Sequence, residues 1–210
     1  MFSIGLTGGF GTGKTTVLKM FARLGARVID SDAVVHRLLK NDGRLKARMK
    51  KHFGPGVFRR GSIDRKALAA RAFSSPASVR WLNAAIHPLV RREINVFLKR
   101  ARKKSGVVVV EAPLLLEAGW AGDFDAAVVV AAGPKAVARR RRPQFDAAQA
   151  RQRSRFQWPL KKKIAQCDFV IDNGADKRQT YIQVKRLFDS LRKGATVRRH
   201  SSRKGVTPRL

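Results

Sequence analysis

The apolar period of the chain changes once within its first 24 residues. Phe2, Ile4 and Leu6 alternate with smaller residues, as in a short strand, and Val17, Leu18, Phe21 and Leu24 recur at helical spacing. The glycine-rich stretch between them is therefore expected on a strand-to-helix turn. Further on, "RVID" (Arg27 to Asp30) predicts a second buried strand, and Ala33 to Lys104 is mainly helical, with "AVVHRLLK", "KALAARAF" and "VRWLNAAIHPLVRREINVFLKRARKK" separated by the turns "FGPGVF" and "RRGSID". The run "GVVVVEAPLLL" is continuously apolar, as a strand covered on both faces is, and "DAAVVVAA" repeats the pattern. "FVID" (169–172) supplies a last strand, followed by the turn "NGAD" and the amphipathic helix "YIQVKRLFDSL". At least five short strands alternating with helices predict an α/β protein with a doubly wound parallel sheet.

The turn after the first strand reads "GGFGTGKTT", and Gly8, Gly13, Lys14 and Thr15 fit the pattern GxxxxGK[ST]. Backbone N–H groups in such a loop point inward and cradle phosphate oxygens, an approach that side chains would block. The following helix adds the positive end of its dipole, Lys14 can reach the β and γ phosphates, and the Thr15 hydroxyl can ligate Mg²⁺. In open α/β sheets ligands gather at the carboxyl ends of the strands, where "IDSD" places Asp30 and Asp32. Asp32 suits two jobs, a base on an acceptor hydroxyl or an N-cap for the next helix. Asp30 is either a metal-side partner or the end of its strand.

Composition narrows the class. The 210 residues suffice for one α/β domain with insertions. A single cysteine, Cys167, excludes an internal disulfide and predicts a reducing, cytoplasmic compartment, with the thiol as a small core residue. No apolar run approaches ~18 residues, so no transmembrane segment is expected, and with the first strand starting at Phe2 no cleavable leader is expected either. The charge changes the picture more: 46 Lys+Arg against 14 Asp+Glu give +32, enough to attract any polyanion. Between Lys135 and Lys163 eleven basic residues face only Asp146, and the seven from Arg192 onward face no acid.

Several segments together resemble one family, dephospho-coenzyme A kinase: "GLTGGFGTGKTTV", "LGARVIDSDAVVH", "IDRKALAARAF", "LNAAIHPLV", "EAPLLLE" and "FQWPLKKKIAQCDFVIDNG", in the family's order and spacing. The resemblance implies a P-loop NTPase fold, a five-stranded parallel sheet flanked by helices, with a helical acceptor-binding insert and a helical lid. It implies a nucleotide-binding core over 1–32, 106–133 and 166–191, an acceptor region over 33–105, a basic lid over 134–165 and a basic, disordered tail over 192–210. The activity implied is transfer of the γ-phosphate of ATP, with Mg²⁺, to the ribose 3′-hydroxyl of dephospho-CoA, the last step of coenzyme A synthesis.

Carried over by position, Gly11, Thr12, Gly13, Lys14, Thr15 and Thr16 would hold the ATP phosphates, and Asp32 would be the general base. Asp64, Arg65 and His87 would bind the acceptor, with Leu68, Asn83 and Pro88 in the same region. Pro113 and Leu114 would line the acceptor pocket, Glu117 would position a neighbouring helix or an acceptor group, and the turn through Asn173 would lie beside the adenine. The "HP" pair also has a plain reading, Pro88 starting a new helix while His87 packs. Counting back from Gln157, Arg142 falls on the family's lid arginine, a planar cation suited to charge on the transferring phosphoryl. The chain departs from the family at Ala138, where another arginine is usual, and in being so basic. Two other readings share the loop: a kinase of another nucleoside or nucleotide, which would lack the "IDRKAL" and "LNAAIHP" segments, and a basic nucleic-acid-binding protein. No specific nucleic-acid partner is expected, because no recognition signature for one is present.

Overall fold

The computed structural model describes residues 1–140 and 155–192. Its chain forms two compact units, Met1–Asp30 together with Phe97 onward, and Ser31–Val96.

The first unit is built on five parallel strands: β1 (Phe2–Gly8), β2 (Arg27–Asp30), β5 (Val107–Glu111), β6 (Ala126–Ala131) and β7 (Phe169–Asp172), in the order β2-β5-β1-β6-β7. Parallel strands need crossover connections, and helices supply them. α1 (Lys14–Arg23) follows β1, and α8 (Lys177–Arg192) follows β7 and packs against α1. Two short helices, α6 (Pro134–Arg139) and α7 (Leu160–Gln166), flank the undescribed stretch. The core joins Ile4 and Leu6 to Val17 and Phe21 of α1, to Val107, Val109, Val128 and Val130, and to Val184, Leu187 and Phe188 of α8. Central β1 is buried from Ser3 to Gly8 and not alternately, as burial on both faces requires.

Two strand expectations need correction. "RVID" is a strand, but it lies at the sheet edge and all four residues are only half-buried. The apolar run "GVVVVEAPLLL" is a strand only as far as Glu111, because Pro113 cannot donate to a ladder and the chain turns from there to Gly119. Leu115 and Leu116 remain buried inside that turn, so apolarity outlasts the strand.

The second unit is helical: α2 (Ser31–Asn41), α3 (Gly43–Phe53), a two-residue hairpin β3 (Phe58–Arg59) and β4 (Ser62–Ile63), α4 (Arg65–Ala72), and most of α5 (Pro76–Arg102). The hairpin turns through Arg60 and Gly61 with positive φ, where "RRGSID" predicts a turn. Among its buried residues are Val34, Leu38, Leu45, Met49, Phe53, Leu68, Val79, Ile86 and Val90. Pro88 starts no new helix: α5 runs through it for 27 residues.

Candidate active site

The loop from Gly8 to Gly13 leaves the carboxyl end of the central strand and enters α1 at Lys14. Gly8 has φ +156°, and a Cβ there would stand 2.5 Å from the Val130 carbonyl oxygen. Gly13 is left-handed at φ +88°, and its Cβ would run into Asn173 Nδ2. Both positions therefore demand glycine for two reasons, backbone conformation and space. Thr12 Oγ1 donates to the Gly9 carbonyl at 3.0 Å, and the buried Lys14 Nζ donates to the Gly9 and Gly8 carbonyls at 3.0 and 3.3 Å. Gly11 and Thr15 are exposed and Thr16 is half-buried, with the Thr16 amide donating to the Gly13 carbonyl at 2.9 Å.

Behind the loop the sheet register aligns Asp30 with Glu111 and Glu111 with Leu6, so two carboxylates lie side by side at the carboxyl edge. Thr15 Oγ1 donates to Glu111 Oε1 at 3.3 Å, and Glu111 is buried. A loop hydroxyl paired with a carboxylate from the strand beside β1 is an all-oxygen donor set of the kind Mg²⁺ takes alongside water and substrate phosphates. Sequence reasoning proposed Thr15 as a ligand but missed Glu111, whose signal was an acid closing a run of four valines.

Asn173, which opens the loop after β7, fixes the phosphate loop from the other side. It is 3% exposed, its Nδ2 donates to the Thr12 carbonyl at 2.8 Å, and its Oδ1 accepts from Thr180 Oγ1 at 2.9 Å. Arg140, capping α6, reaches the Thr12 and Ala175 carbonyls at 3.5 Å each, the outer limit of a hydrogen bond. Ala136, Arg139, Arg140, Ala175 and Asp176 line an open groove of about 390 Å³ beside these contacts, at the lower end of the size range of ligand sites.

A second cluster joins β1, the turn after β5, and α7. Lys163 is fully buried, and its Nζ donates to the Pro113 carbonyl at 2.6 Å and pairs with Glu117 Oε1 at 3.0 Å, with Thr7 Oγ1 at 3.4 Å. Thr7 Oγ1 donates to the same Pro113 carbonyl at 3.2 Å, and the Trp158 amide donates to Glu117 Oε1 at 2.6 Å. Glu117 thus holds α7 and its approach segment, the helix-positioning role of the two expected for it. Pro113 and Leu114 are half-buried in the turn this cluster fixes. Cys167, which follows α7, is buried, and that burial, with Asp168 nearby, pushes its thiol up to about 12, out of reach of nucleophilic chemistry.

The remaining candidate residues belong to the second unit. Asp32 lies in the first turn of α2, inside the helix and not at its cap, where a carboxylate complements the helix dipole. Asp64 is the N-cap of α4: its Oδ1 accepts from the Lys66 and Ala67 amides at 2.8 and 3.1 Å, and these bonds, the Ala67 one foremost, hold its pKa below the usual carboxylate range. Arg65, the first residue of α4, is exposed. His87 is half-buried in α5, and desolvation lowers its imidazole pKa from the ordinary value. Arg142 and the tail beyond Arg192 lie outside the described residues, as do residues 141–154 of the expected lid. Among the described residues no helix is long and apolar enough to cross a membrane.

Comparison with known proteins agrees with this geometry. A family model described as dephospho-CoA kinase matches residues 2–179. The dephospho-CoA kinase of Zymomonas mobilis is 37% identical over 194 residues, covering 91% of this chain and 97% of the relative. That of Mesorhizobium japonicum is 38% identical over 196 residues, covering 91% and 98%. A Thermus thermophilus protein of known crystal structure superposes with a TM-score of 0.76 at 29% identity, over 90% of this chain and 97% of its own. Dephospho-CoA kinase from Campylobacter jejuni has the same fold, with a TM-score of 0.69 at 21% identity over 91% and 98%. With a phosphate loop anchored at Thr12 and Thr15 and a match over nearly its whole length, the chain belongs to the dephospho-CoA kinase family.

Proposed function

We propose that this protein transfers the γ-phosphate of ATP to the ribose 3′-hydroxyl of dephospho-CoA, giving coenzyme A and ADP. ATP use follows from membership of a kinase family. The observation that carries the reading is the phosphate loop pinned by Asn173 and paired through Thr15 with Glu111, within a chain matched over residues 2–179. Gly11 to Thr16 offer their amides to the phosphates, and Lys14 exchanges its bonds to the Gly8 and Gly9 carbonyls for phosphate oxygens. Thr15 and Glu111 would hold Mg²⁺, which when bound neutralises charge on the β and γ oxygens.

In the transfer step Asp32 accepts the proton of the acceptor hydroxyl, the oxygen bonds to the γ-phosphorus, and the bond to the bridging oxygen of ADP breaks. Lys14 and Arg142 stabilise the charge that develops on the phosphoryl oxygens. Asp64, Arg65 and His87 of the second unit, with Pro113 and Leu114, select the acceptor, and the groove beside Asn173 takes the adenine of ATP. A cytoplasmic location belongs to the same proposal.

The test is a product assay. ATP, Mg²⁺ and dephospho-CoA should yield coenzyme A and ADP, and Asp32→Asn should lower kcat by roughly a hundredfold or more while ATP affinity is kept. Faster turnover of another nucleoside or nucleotide in an acceptor panel overturns the substrate assignment. An unchanged kcat in Asp32→Asn overturns the role of the base.

A further inference from the structure

The family reaction asks for anion binding at a cleft, but the chain carries +32. Part of that excess is arranged on α3. Leu45, Met49 and Phe53 are buried and define its inner face, while Arg44, Arg48 and Lys51, at i, i+4 and i+7, lie opposite and exposed. Lys46 and Lys50 add two further cations to α3, and the helix contains no acid. Asp42, its cap, is occupied by the Leu45 amide at 2.9 Å. Among the described residues neither Arg44, Arg48 nor Lys51 is in an ion pair. At the C-terminal end of α3, His52 stacks on Trp81 with ring centroids 3.7 Å apart, and the Arg48 guanidinium lies 5.8 Å from the same ring.

We propose that the exposed face of α3 is a sequence-independent contact surface for the sugar–phosphate backbone of nucleic acid. The row from Arg44 to Lys51 spans seven residues, about 10 Å of helix. Successive phosphates of one duplex strand rise about 3.4 Å along the axis but wind around it, so they stand roughly twice that distance apart in space and this length meets about two of them. The face is convex and open, unlike the concave sites that enclose small substrates. Contacts to phosphate oxygens position a protein without reading bases, so a surface that stays on the backbone carries no sequence preference. A membrane is the poorer partner: interfacial helices turn apolar side chains to the lipid, and those of α3 are buried within the fold.

The experiment uses the full chain and fluorescence anisotropy with two labelled duplexes of unrelated sequence, titrated across a salt series. Both should bind alike. Arg44→Gln/Arg48→Gln/Lys51→Gln should weaken binding by roughly tenfold or more at low salt and flatten the slope of log K against log[salt] by about 1.8. A matched control, Lys19→Gln/Arg23→Gln/Arg186→Gln, removes the same charge from exposed positions on α1 and α8 and should retain the native slope. Circular dichroism of all variants verifies folding. An equal loss in the control assigns binding to total charge and overturns the proposal. So does displacement of the duplex by dephospho-CoA, which makes α3 part of the acceptor site, or preferential capture by phosphatidylserine vesicles. A marked preference for one duplex overturns the backbone-only contact.

Discussion

Lys163 offers the sharpest test of how the core of the first unit is held. Replacing it with Met keeps the length and apolar stem of the side chain but removes the charge that faces Glu117, whose side chain is only 12% exposed. The Pro113 carbonyl also loses its 2.6 Å donor and keeps only Thr7 Oγ1 at 3.2 Å. Breaking a buried pair from one side costs about 3–5 kcal/mol, because the surviving charge stays desolvated and unpaired. For a chain of this size each kcal/mol lowers Tm by about 2–4 °C, so Lys163→Met should melt about 6–20 °C lower than the native protein. The double variant Lys163→Met/Glu117→Gln removes the stranded charge and leaves an amide oxygen for the Trp158 N–H, so it should be more stable than the single variant. Urea unfolding followed by circular dichroism measures both, with m-values compared to check that the same surface unfolds. A loss below about 1 kcal/mol in the single variant, or a double variant no more stable than the single, refutes the argument that an unpaired buried charge sets the cost.

Asn173→Ala should cost about 1–3 kcal/mol by stranding Thr12 and Thr180 partners, and should raise KM for ATP more than KM for the acceptor in steady-state kinetics. Cys167 gives a pH prediction: its folded thiol is held up to about 12, whereas the unfolded thiol titrates near 9.0, so stability is intact below 9 and falls as pH rises toward 12. Between about pH 8 and pH 10 the native protein should lose about 1.4 kcal/mol more than Cys167→Ala does in urea unfolding. Asp64→Ala should lower the urea midpoint through loss of the α4 cap; a KM rise for the acceptor with kcat unchanged would add a binding role, read from the same variant by kinetics.

What the sequence carried depends on how far apart the interacting residues lie along it. The phosphate loop was legible because its glycines, Lys14 and Thr15 act on one another within a few positions of the chain. The site's supports were not, because they join residues 161, 96 and 50 positions apart: Asn173 to Thr12, Thr15 to Glu111, Lys163 to Pro113. The edge position of β2 was hidden for a similar reason, since "RVID" reads the same whether one neighbour strand or two will flank it. One local signal was nevertheless present and missed. In "LKKKIAQC" Leu160, Ile164 and Cys167 recur at helical spacing, and Lys163 falls on their side of the helix while Lys161 and Lys162 fall outside it and are exposed. A lysine on the inner face of an amphipathic helix must find an anion or lose its charge. That requirement points to a buried carboxylate partner from the period alone, although only the fold identifies it as Glu117.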